Sequence, residues 1–208
     1  MVANLLMNKD ICENTKIIGV DTDGCFAEYV KIPAMNCFVN SKDANPLHLS
    51  VQEPLGNAVH TMGHFPIEGK DVVVVGCGPI GLMGVNVAKA YKAKKIIAIE
   101  VNEYRLNLAK ELGADVVINP IKEDVIKRVL EETGGRGPDV VGEFSGNKFA
   151  IEQAFKYVSE NSQECNPQTA FVLTTQNEKY LQNAQDNNAH SVIKVEDIAQ
   201  HFGIDKIK

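Results

Sequence analysis

Hydrophobic positions change rhythm along the chain. Between residues 66 and 158, unbroken apolar runs alternate with stretches in which apolar side chains recur every three or four positions. Asp71, Val72, Val73, Val74 and Val75 form a nearly pure β-branched run, which reads as a strand covered on both faces of a parallel sheet. Gly76, Cys77 and Gly78 follow, and Pro79 stands where the first position of a helix tolerates it. Ile80, Gly84, Val87, Ala88 and Tyr91 then recur at helical spacing. A second strand is predicted over residues 95–100. The helix after it takes Asn102 as its cap, buries Tyr104, Leu108 and Leu112, and stops at Gly113. Residues 115–118 read as a third strand. Val125, Ile126, Val129 and Leu130 mark one face of a third helix, which Gly134 and Gly135 end. Residues 139–144 form a fourth strand, and Ile151, Ala154, Phe155 and Val158 line a fourth helix.

Four strand–helix pairs in succession require right-handed crossovers and a parallel sheet. The predicted fold class is therefore α/β, a doubly wound parallel-sheet (Rossmann) domain over residues 66–175. Residues 168–175 would serve as its fifth strand. Residues 1–65 have no such rhythm, being short strand-like runs broken by Gly, Pro and Asn. Residues 176–208 turn polar and Asn/Gln-rich, a tail with room for one short helix.

Composition narrows the classes of partner. In 208 residues, 21 basic and 27 acidic side chains give a net charge of −6, which argues against nucleic acid or an anionic membrane. No apolar run reaches the roughly 18 residues a membrane span needs, and the first ten residues lack a basic leader segment. Five cysteines, odd in number and without a C-x-x-C pair, suit a reducing, cytoplasmic setting better than a disulfide scaffold.

The chemistry is concentrated in one motif. Gly76, Gly78 and Gly81 fit G-x-G-x-x-G, and the match follows a buried strand, opens a helix and precedes an acid, Glu100, at the end of the next strand. Gly76 permits a tight turn, Gly78 lets the backbone approach a pyrophosphate, and Gly81 lets helix and strand pack closely. The helix N-terminus, with Pro79 and Ile80 in its first turn, offers amide groups and positive dipole to phosphates. Glu100 can accept hydrogen bonds from both hydroxyls of an adenosine ribose, and its charge would repel a 2′-phosphate, so NAD is expected over NADP. Arg105 follows on the next helix, either over the adenosine end or simply solvated.

Three segments carry a family resemblance. Residues 16–30, which include D-T-D-G-C-F-A-E-Y at 21–29, residues 52–60, reading Q-E-P-L-G-N-A-V-H, and the glycine turn from Gly76 to Gly84 resemble the L-threonine 3-dehydrogenases, a group of medium-chain, zinc-dependent alcohol dehydrogenases. The resemblance runs from about residue 12 to 158. It implies a β-rich, GroES-like catalytic domain ahead of the Rossmann domain, with residues 1–65 as a remnant of it and its connecting helix. It implies an oxidoreductase that uses NAD and zinc to oxidise the hydroxyl of L-threonine to 2-amino-3-oxobutanoate, working as a homo-oligomer on a small-molecule substrate. Against that family the chain reads as truncated at both ends.

By the same resemblance Glu53 is a ligand of the catalytic zinc, while the family's Cys and His-Glu ligands find no counterpart here. Cys12 matches the last of four structural-zinc cysteines and is otherwise a free thiol. Glu53 precedes Pro54 and also reads as a helix-capping carboxylate. If the helix from Pro54 continues, Glu53, His60 and His64 share a face, and an H-x-x-x-H pair can chelate a metal. With Glu53 the sole matched ligand, the expectation is weak zinc binding or none, and no catalytic residue is assigned. Two other readings stay open: a non-catalytic NAD-binding fragment, and a pairing partner of a full-length dehydrogenase.

Overall fold

The computed structural model describes residues 16–159 and 170–173. These divide into two compact units, one ending at Leu49 and one beginning at Ser50. In the first unit, residues 16–49 hold an isolated bridge between Ile18 and Thr22, a short 3-10 turn at Ala34–Asn36 and a single helical turn at Pro46–Leu49. The expected β-rich lobe does not form regular strands among these residues. A strand must hand its N–H and C=O groups to a neighbour, and this unit's described residues supply that partnership only at Ile18–Thr22. Val20, Phe26, Tyr29, Phe38 and Val39 are correspondingly exposed.

The second unit starts with helix α1 (Gln52–Gly63), then runs β1 (Asp71–Val75), α2 (Pro79–Ala90), β2 (Lys95–Ile99), α3 (Glu103–Leu112), β3 (Val116–Ile118), α4 (Val125–Glu132), β4 (Val140–Glu143), α5 (Lys148–Ser159) and β5 (Ala170–Leu173). It begins ahead of the boundary expected at residue 65, because α1 buries Ala58 and Met62 in the same apolar cluster as Val72 and Val74.

All four strand pairings are parallel, and the order is β3-β2-β1-β4-β5. The continuous valine run follows from this geometry. Val73 and Val75 point to one face, with Ile97, Ile118, Val129 and Ile151, while Val72 and Val74 point to the other, with Val85, Ala88 and Ala109. Each of these valines and isoleucines contributes about 1.5–3 kcal/mol by leaving water. β5 lies within residues 168–175 and pairs Ala170 with Val140, whereas residues 176–208 lie outside the described ones.

The helix after β2 corrects one expectation. Asn102 caps α3, its Oδ1 accepting from the Arg105 amide, and Gly113 ends it at φ +120°. Its buried side chains, however, are Leu106 and Ala109, while Leu108 and Leu112 are half-buried and Tyr104 is 72% exposed. Tyr104 stands in the first turn on the outward side. In α5 the structure buries Ile151, Ala154 and also Tyr157, which periodicity alone had passed over.

At the amino ends of β1 and β4 the strands are clasped. The Asp71 amide donates to Asp139 Oδ2 (2.8 Å), the Asp139 amide to the Asp71 carbonyl (2.8 Å), and Arg136 reaches both carboxylates. The opposite, carboxyl ends of the strands open on the site.

Candidate functional site

The carboxyl ends of β1, β2 and β4 converge on a cleft of ≈ 500 Å³. It lies where the strand order reverses, between β1 and β4, the place at which open α/β sheets bind ligands. Gly76, Gly78, Glu100 and Arg105 line one wall, and Ser145, Asn147, Phe149 and Gln153 line the other.

The turn after β1 needs glycine for two distinct reasons. Gly76 has φ +83°, and a Cβ there would stand 2.7–2.8 Å from the backbone N and Cα of Ser145. A Cβ at Gly81 would overlap the carbonyl oxygen of Gly76. Gly78 differs: it is the extended N-cap of α2, with open space around the position of its missing Cβ. Pro79 occupies the first helical position, followed by half-buried Ile80. Gly78, the N-cap of α2, lines the cleft, and a helix leaves amide groups unpaired at such a start.

Glu100 is 7% exposed. Its Oε2 accepts from the Cys77 amide (2.8 Å) and its Oε1 from the Asn102 amide (3.0 Å). Two backbone donors therefore fix the carboxylate on the rim of the cleft, and each oxygen retains a lone pair for a further donor. The Arg105 guanidinium lies 3.7 Å from Oε2 and is about half exposed. Cys77, buried beneath the same turn, has its thiol pushed up to about 12, first by burial and then by the charge of Glu100, against the opposing charge of Arg105. It stays protonated and unreactive.

The second wall escaped the sequence reading. Its signal was an acid closing the fourth strand, Glu143, followed one residue later by Ser145, Gly146 and Asn147. In an open sheet, residues just past a strand's carboxyl end are the ones that border the crevice.

The metal candidates do not gather. Glu53 sits in the first turn of α1, after the N-cap Val51 rather than at a cap itself, and its Oε1 accepts from Asn57 Nδ2 (3.2 Å). α1 ends at Gly63, and the His60 and His64 ring centroids are 6.0 Å apart. Cys37 is exposed with its thiol 3.8 Å from the Pro33 carbonyl, and Cys12 lies outside the described residues. Among the described residues no three His, Cys, Asp or Glu side chains form a group able to hold a metal ion. A zinc centre needs three or four protein ligands, so these residues alone do not fit one. Nor is any described helix long and apolar enough to cross a membrane.

Residues 79–163 match the zinc-binding dehydrogenase family. Curated relatives extend the likeness toward the amino end. The L-threonine 3-dehydrogenase of Caldanaerobacter subterraneus subsp. tengcongensis is 52% identical over 153 residues, 74% of this chain and 44% of the relative. That of Symbiobacterium thermophilum is 56% identical over 147 residues, 70% of this chain and 42% of the relative. The chain thus spans less than half the length of the relatives it matches. Among solved structures, the alcohol dehydrogenase rspB of Escherichia coli CFT073, in complex with NADH, superposes with a TM-score of 0.68 at 29% identity, covering 78% of this chain and 46% of that one. A Sinorhizobium meliloti 1021 protein bound to NADP gives 0.67 at 30% identity, over 75% and 46% of the two chains. The Rossmann fold of the family's nucleotide-binding domain is the fold found here.

Proposed function

We propose that the unit from Ser50 onward binds a nicotinamide dinucleotide, NAD in preference to NADP, and supplies the cofactor half of an L-threonine 3-dehydrogenase-type reaction. The observation that carries this reading is Glu100, buried at the rim of the cleft and aimed by the Cys77 and Asn102 amides beside a glycine turn that opens a helix. A carboxylate so placed can take both hydroxyls of an adenosine ribose, and it repels a phosphate on the 2′ oxygen. The pyrophosphate would lie against Gly78 and the first turn of α2, where a side chain is absent and the helix dipole is favourable.

The identity to L-threonine 3-dehydrogenases supports threonine as the substrate. In that reaction the carbinol carbon gives up a hydride to the nicotinamide and the hydroxyl loses its proton, leaving 2-amino-3-oxobutanoate and NADH. This chain's own contribution is to bind and orient the dinucleotide. A zinc ion belongs to the family's chemistry, but the described residues do not make its site, so no step here is routed through one.

Titration calorimetry with NADH and NADPH tests the cofactor reading. NADH is expected to bind at least about tenfold more tightly, equivalent to roughly 1.4 kcal/mol, and Glu100→Ala should erase the difference. Equal affinities in the unaltered protein would remove Glu100 from the ribose. Threonine-dependent NADH formation, followed by absorbance, tests the substrate. Its absence in a chain that binds NADH would favour a binding role without turnover.

A further inference from the structure

We infer that Glu143 is a positioning residue for the cleft: its buried carboxylate ties down the turn at residues 145–147 and so holds the second wall against Gly76. This rests on the dinucleotide reading above and adds to it the residue that sets the width of the cleft.

Glu143 closes β4 with 0% exposure. A carboxylate buried that deeply must be hydrogen-bonded to be tolerated. Its partners come from the turn that follows. Oε1 accepts from the Ser145 amide (2.8 Å) and from the Ser145 hydroxyl, and the Gly146 amide donates to both oxygens at 3.1 and 3.2 Å. Ser145 Oγ in turn accepts from the Asn147 amide (3.1 Å), and Asn147 Oδ1 accepts from the Phe149 and Ala150 amides that open α5. One carboxylate therefore begins a relay that ends in a helix cap. The relay has no slack on its far side, because the Ser145 backbone already fills the place of a Gly76 side chain. Ser145, Asn147 and Phe149 all border the cleft, so any shift of the turn changes its width.

The neighbours make the charge matter. Across the sheet, Val75 of β1 is in register with Glu143. From α5, buried Tyr157 feels its charge, and the phenol oxygen has no hydrogen-bond partner among the described residues. Burial raises the Glu143 carboxyl above its ordinary range despite the hydrogen bonds from Ser145 and Gly146. Protonation of this carboxylate would remove acceptor capacity and free the turn.

The test uses the full chain. NADH affinity is measured by calorimetry from about pH 8 to about pH 5 for the unaltered protein and for Glu143→Gln, with amide exchange of residues 145–147 followed in both. Affinity of the unaltered protein should fall on acidification. Glu143→Gln should bind about tenfold more weakly at the higher pH, show a flattened pH profile and exchange its turn amides faster. Unaltered affinity, pH profile and exchange in Glu143→Gln overturn the inference. Should that variant not fold, Ser145→Ala removes the hydroxyl link alone. It is expected to weaken binding about threefold, and unchanged affinity there also overturns the inference. If the unaltered protein binds no NADH, the dinucleotide reading fails by itself, while the exchange comparison still decides whether Glu143 holds the turn.

Discussion

A methyl group at Gly81 would overlap the Gly76 carbonyl, whereas at Gly78 it would meet open space. Two glycines three positions apart therefore do different work, and substitution separates them. Gly78→Val should change stability by less than about 1 kcal/mol, since its φ of −66° suits any residue and an N-cap valine loses only a capping preference. The same variant should lose about a hundredfold or more in NADH affinity. Gly81→Ala should instead destabilise by about 3 kcal/mol through overpacking. Denaturant titration and calorimetry on both variants check the pair, and a Gly78→Val protein with full affinity would clear the turn of any phosphate role. The glycines and Glu100 were legible because a strand, a turn and a helix fix their spacing within the local backbone. Glu143 and Ser145 were not: their meaning depends on Gly76, which lies some seventy residues away and becomes a neighbour only when β4 pairs with β1.

Elements were easier to find than to orient. Each predicted strand of the sheet has its counterpart within a residue or two, because unbroken β-branched runs admit few other states. The inward face of α3 was misjudged because Tyr104, Leu108 and Leu112 recur every four positions, whereas the buried pair, Leu106 and Ala109, is three apart on the adjoining face. The caps are local and readable. Asn102→Ala should cost about 1 kcal/mol, measurable as a lower denaturation midpoint. It should also loosen Glu100 through the Asn102 backbone. At the other end of the strands, burial would raise the Asp139 carboxyl, but the hydrogen bonds from Arg136 and the Asp71 amide, with the Arg136 and Lys70 charges, outweigh it and hold the group below its ordinary range. The clasp between β1 and β4 is therefore at full strength above the usual aspartate pKa of about 4 and is lost as pH falls through the lower value of the folded state. Asp139→Asn should cost about 1–2 kcal/mol near neutrality and should lose less stability than the unaltered protein on acidification. Denaturation midpoints across pH measure this, and parallel acid limbs for the two proteins would exclude Asp139 as the group responsible.

At the scale of the molecule, the part legible in advance was the part that closes on itself. The sheet unit buries β1, β2 and β4 between helices on both faces, so their pattern is read within residues 50–159. Residues 16–49 follow another logic. Val20, Phe26, Tyr29 and Val39 read like strand residues, yet they stand exposed beside a single bridge, since nothing in their own spacing supplies a pairing strand. The central position of β1 also has a temporal side. β1 is in register with β2 from Asp71 to Lys95 and with β4 from Val72 to Val140, closures of about two dozen and nearly seventy residues. The longer closure costs about 1 kcal/mol more chain entropy, and contacts nearer in sequence form sooner. A chain emerging from the ribosome can thus assemble Gly76, α2 and Glu100 while Ser145 is still being synthesised, so the nascent protein holds the carboxylate proposed for the ribose before it has a cleft, and a ligand that needs both walls can reward folding only at its final docking step.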